Sequence, residues 1–121
     1  MVLAGLLSGC GHSLPQLPGF DAEAWRADPY GCHNQREKGL AAILKHKELL
    51  YEARANDITS LLGHPDEEEL RAGTEKVYFY YLQAGSQCDD RHQRSSAPRL
   101  SLRFGPLGTV TEVLADPVRK P

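Results

Sequence analysis

Three cysteines carry most of the chemistry open to this sequence: Cys10, Cys32 and Cys88. Cys10 closes the run Leu7-Ser8-Gly9-Cys10, an aliphatic residue and two small residues before a thiol, which has the form of a lipobox. A signal peptidase must fit small side chains beside the bond it cuts, and the thiol must be free to accept diacylglycerol. Each buried methylene of such a chain contributes about 0.8 kcal/mol, so two or more chains anchor stably where one would be marginal. On this reading residues 1–9 are the remnant of a signal peptide and residues 10–20, with "GHSLPQLPG", form a lipidated tether. Met1 runs directly into Val2-Leu3-Ala4 without a basic residue, so the true start is expected upstream.

Cys32 and Cys88 fit the oxidising compartment that such an anchor implies, where two cysteines left over in a small domain are most simply a disulfide. Free thiols are one alternative. A metal site is another, because "GCHN" and "CDDRH" add His33 and His92 to the two thiols. Zinc, however, needs converging ligands at set spacing, and neither a CxxC nor an HExxH pattern occurs. Nothing points to catalysis: there is no GxSxG elbow, and "DEEE" is a run, whereas glycosidase chemistry needs two separately placed carboxylates. The expectation is a protein that is not an enzyme, with no cofactor, no metal and no small-molecule substrate.

Composition narrows the classes further. The 121 residues have room for one domain, expected over residues 21–116 with a tail at 117–121, and 40% hydrophobic content supports one modest core. A formal charge of -2 with mixed signs argues against a nucleic-acid partner. No apolar run approaches the roughly 20 residues of a spanning helix. The acids of "HPDEEEL" and the arginines of "RHQRSSAPRLSLR" read as two solvated loops.

Several elements must position these residues. "DAEAWRADPY" predicts a short helix capped by Asp21, with Trp25 and Phe20 turned inward and Pro29 ending it. A longer helix follows in "HNQREKGLAAILKHKELLYEA", opened by Asn34 and Glu37 as a capping box, with Leu40, Ile43, Leu44, Leu50 and Tyr51 along one face. Gly39 in that helix allows a neighbour to approach closely. "NDITSLLGHPD" predicts a short helix ended by a left-handed Gly63 and by Pro65. After it the period changes to two. "TEKVYFYYLQA" predicts a strand with aromatic residues on both faces, and "PRLSLRFGPLGTVTEVL" a hairpin turning at "GPLG". Between them, "GSQCDDRHQRSSAP" reads as a long polar loop pinned by Cys88.

The run "ITSLLGHPD", the strand "KVYFYYL" and then "LSLRFGPLGTVTEV" resemble the SmpA/OmlA (BamE-like) family of small outer-membrane lipoproteins, over about residues 54–114. Ile58, Leu62, Gly63 and Pro65 match the family's helix and turn, Tyr78 and Tyr80 its strand, and Phe104, Gly108 and Val110 its hairpin. Arg54 stands where the family has a capping Ser or Thr, which leaves the cap to Asn56 or to no side chain. The resemblance implies an α+β fold, two main helices packed on a three-stranded antiparallel sheet. It also implies a lipid-anchored protein on the outer membrane facing the periplasm, serving as a non-catalytic structural or envelope-assembly module. Its partners would be the membrane, through the N-terminal lipid, and an envelope protein, with Tyr78 and Tyr80 as candidate contacts. The alternative is an inhibitor-like module that binds a periplasmic hydrolase.

Overall fold

The computed structural model describes residues 16–73, 75–89 and 93–116. The lipobox with Cys10, most of the tether, His92 and the 117–121 tail lie outside the described residues. Four helices and four strands alternate as α1 (Ala22–Arg26), α2 (Arg36–Lys45), α3 (Ala55–Leu62), β1 (Glu67–Leu70), β2 (Lys76–Tyr81), α4 (Ser86–Asp89), β3 (Arg99–Phe104) and β4 (Val110–Asp116). The strands form one antiparallel meander in the order β1-β2-β3-β4. An α+β fold with helices against an antiparallel sheet therefore holds, but the sheet has four strands where three were expected. The fourth comes from the acidic run. Glu67, Glu68, Glu69 and Leu70 pair with Phe79, Tyr78, Val77 and Lys76, so the supposed solvated loop is an edge strand. Charges on an edge discourage further pairing, which is why a strand can look like a loop in sequence.

The inner face of the sheet carries the core. Tyr78, Tyr80, Leu100, Leu102 and Phe104 pack with Trp25 of α1, Ile43 of α2 and Ile58 and Leu62 of α3. Asp21 caps α1 as expected, accepting the Ala24 amide at 3.1 Å. Trp25 is buried, with the Phe20 and Tyr80 rings 5.7 and 6.1 Å away. Gly39 does permit close approach: a Cβ there would lie 2.9 Å from the Phe20 ring.

The longer helix is shorter than its pattern suggested and is capped differently. Asn34 is no N-cap; it sits at φ 58° and its side chain accepts the Ala84 amide at 2.9 Å. Asp28 supplies the cap from upstream, its carboxylate accepting the amides of His33 (2.8 Å), Gln35 (2.8 Å) and Arg36 (3.4 Å). Glu37 instead accepts from the Gln83 side chain. The helix stops at Lys45, and a 3₁₀ turn at Lys47–Leu49 carries Leu50 into the core while leaving Tyr51 exposed. At α3 the expected cap at Asn56 is replaced by Asp57, which reaches back to accept the Arg54 amide at 3.1 Å. Gly63 has φ 83° and ψ 179°, positive but extended, so it is not in the left-handed helical well. Only glycine reaches that region cheaply.

Within the β3–β4 hairpin, Phe104 faces Val110 while Arg103 faces Glu112, so Thr111 is the extra residue of a bulge. The bulge lets Val110 and Val113, three residues apart, both enter the core.

Candidate functional site

Helices cover the inner face of the sheet, and the side chains of the outer face form two ordered rows across the strands. Cross-strand pairing aligns Glu69, Val77, Arg103 and Glu112 in one row, and Glu67, Phe79, Ser101 and Leu114 in the next. Acids thus stand on both edge strands, apolar residues on β2, and arginines and a hydroxyl on β3. A shallow groove of about 270 Å³ runs between them, lined also by Arg71 and Arg99.

Period-two patterning places these residues, and ion pairs hold them. The Arg99 guanidinium lies 3.7 Å from the Phe79 ring centroid and donates to Glu67 at 2.8 Å. Glu67 also accepts the Tyr81 hydroxyl at 2.5 Å, and that hydroxyl accepts the Ser95 amide at 3.0 Å. Burial and the bond to Glu67 both push the Tyr81 phenol upward, so it stays protonated. Arg103 spans two acids more loosely, Glu75 at 3.6 Å and Glu112 at 3.4 Å. Val77 and Phe79 are thereby covered by arginine stems, although no helix among the described residues lies over them. Exposed pairs of this kind are each worth under about 1 kcal/mol, so a partner's charges can displace them at little cost.

Beneath one end of the sheet a buried polar hub fixes this arrangement. Arg36 pairs with Asp66 at 2.6 Å, with both side chains nearly inaccessible. Its guanidinium sits against the rings of Trp25 and Tyr80, and it donates to the carbonyls of Trp25 and Tyr81. Asp66 accepts the amides of Tyr30 (3.1 Å) and Tyr81 (2.8 Å) as well. Desolvation raises the Asp66 pKa above the ordinary carboxylate value, and Arg36 and the two amides oppose that rise. The Tyr80 phenol is also pushed up, chiefly by burial.

The disulfide joins the hub. Cys32 and Cys88 are bonded, their Cα atoms 5.8 Å apart. The bond consumes the two thiols that a metal site would have used, and among the described residues no group of three His, Cys, Asp or Glu side chains could hold a metal ion. Gln87 is fully buried beside the bridge and donates to the carbonyls of Tyr30 and Gln83. Gly31 approaches β2 so closely that a Cβ would lie 2.6 Å from the Tyr81 carbonyl oxygen.

Tyr78 and Tyr80, the expected partner contacts, both lie inside the core, and the Tyr80 hydroxyl donates to the Gly63 carbonyl at 2.9 Å. They serve packing; their neighbours Val77, Phe79 and Tyr81 take the outer face. Sequence reading did not single out Arg36, Asp66, Glu67, Arg99 or Arg103. For the last three the signal was present as two-residue spacing in "EEEL" and "RLSLRF". For Arg36 and Asp66 no local signal exists, since their partners lie 30 residues apart.

No family model, no curated protein and no solved structure matches this chain.

Proposed function

We propose that this protein is a lipid-anchored, periplasm-facing module that binds an envelope protein without catalysing a reaction, and that the helix-free face of the sheet is its binding surface. The observation that carries this reading is the paired rows of that face, with Phe79 and Arg103 at the centre and acids at both edges. A face of that kind offers a partner cation–π and charge contacts around a small apolar floor. The Cys32–Cys88 bond supports an oxidising compartment, and the lipobox at Cys10 supports an anchor there. A standard interface buries about 800 Å² on each partner, about what one face of so small a domain can offer.

The test is affinity purification of the full chain, expressed with its native N-terminal region in a diderm bacterium, against an Arg103→Glu variant. Recovery of an outer-membrane protein with the parent chain, and its loss with the variant, is the expected result. A soluble hydrolase held in equal amount would establish the inhibitor reading instead. Equal recovery with both chains would remove the sheet face from the account.

A further inference from the structure

The chain enters the folded domain beside the lysines of α2. Leu17 is buried in the core, and Phe20 packs so closely on α2 that a Cβ at Gly39 would lie 2.9 Å from its ring. Gly19, Asp21, Gln35 and Lys38 line one cleft there, so the point of entry lies at the start of α2, on the side of the sheet that the helices cover. Leu17 follows Cys10 by seven residues, and a chain of that length reaches at most about 25 Å. A lipid on Cys10 would hold this entry point within that distance of a bilayer.

From the entry point α2 turns one stripe outward. Lys38, Ala41 and Lys45 are exposed and Ala42 is half-buried, at the spacing of a single helix face, and exposed Leu49 continues the line past the helix end. The stripe holds two cations, two small side chains and no acid. Of the acids nearby, Asp21 caps α1 and Glu37 accepts from the Gln83 side chain. Lys47 and Glu48 offset each other in the 3₁₀ turn that follows.

We infer that this stripe docks on the headgroups of anionic phospholipids, with α2 lying along the bilayer surface and the outer face of the sheet turned away from it. The inference rests on the lipid anchor proposed above. Alanines let the helix come close, and lysine stems are long and flexible enough to reach phosphates on either side. Each lysine near an anionic surface contributes roughly fivefold to residence there. So few charges would not hold a free domain, but a short tether keeps the stripe at high local concentration over the headgroups.

The experiment is amine footprinting of the full chain, expressed with its native N-terminal region and purified from the membranes of a diderm bacterium. It is placed on vesicles of phosphatidylcholine alone, or of phosphatidylcholine and phosphatidylglycerol in equal parts, and acylated with an N-hydroxysuccinimide ester. Intact mass judges the anchor separately: a chain without acyl groups on Cys10 would overturn the anchor and this inference with it. With the lipid present, Lys38 and Lys45 should react at least about fivefold more slowly on the anionic vesicles, and Lys76 of β2 at the same rate on both. Salt of about 1 M, where screening acts within about 3 Å, should abolish the difference. Equal rates for Lys38 and Lys45 on the two kinds of vesicle would overturn the inference, as would a Lys76 slowed as much as they are. Protection that arises only when an outer-membrane extract is added would assign the stripe to a protein instead, and would equally overturn it.

Discussion

Arg36 and Asp66 are the residues on which the most geometry depends. A buried pair is expensive to desolvate, and removing one partner leaves the other uncompensated, at a cost of about 3 kcal/mol or more. Arg36→Met should therefore lower stability by at least that amount at neutral pH, measured by urea denaturation. The pH dependence has a definite sign. Burial holds the folded pKa of Asp66 above the ordinary carboxylate value, so the folded state holds that proton more firmly than the unfolded chain. Its contribution is greatest below the unfolded pKa and declines as pH rises through the folded one. Arg36 is the largest influence opposing the rise. Arg36→Met should thus move the Asp66 carboxyl titration further upward by carbon NMR and make the variant more stable at pH 5 than at pH 7. A downward move would mean that Arg36 does not act on Asp66 through its charge.

Among the elements, the segment from α1 to α2 is held less by its own propensities than by ties to β2 and α4. Asp28 caps α2 across a turn in which Tyr30 and Asn34 have positive φ, and the Cys32–Cys88 bridge fastens that turn to α4. Closing a loop with a sequence separation of 56 residues restricts the unfolded chain by about 4 kcal/mol on the chain-entropy model. Cys32→Ala should lose stability of that order, seen as a fall in Tm, and reductant should reproduce the loss in the parent chain. An unchanged Tm under both treatments would mean that the bridge adds nothing to stability. Edge strands follow a similar division of labour. On β1 three consecutive acids guard the backbone, whereas on β4 the bulge keeps two valines inward between Glu112 and the start of the strand.

For the whole molecule, the sheet separates two surfaces: an inner face committed to the core, and an outer face where the largely buried Arg99–Glu67 pair lies beside the looser pairs that Arg103 makes with Glu75 and Glu112. On the proposed reading, a lipid at Cys10 tethers the domain to a membrane. Cys10→Ser, expressed with the native N-terminal region, should move the protein from the membrane to the soluble periplasmic fraction, read by fractionation and blotting. Retention on the membrane would place the anchor elsewhere. The described residues contain no helix long and apolar enough to cross a membrane.

Elements whose cause is local were legible in the residues themselves. Asp21 caps α1 because it precedes it by one residue, and "RLSLRF" and "KVYFYYL" alternate because strands bury every second side chain. The same alternation made the α+β class and the β3–β4 hairpin legible. The remaining features depend on contacts between residues far apart in the chain. Glu67 to Leu70 form a strand because β2 offers a partner, not because their propensity favours one. Asn34 lost the cap to Asp28 because a carboxylate bound to three amides outcompetes a local amide side chain. Tyr78 and Tyr80 went inward, and Val77 and Phe79 outward, because the helices chose one face of a strand that is aromatic on both. Periodicity sorts residues into two faces, but which of two apolar faces is buried is settled only by what packs against it.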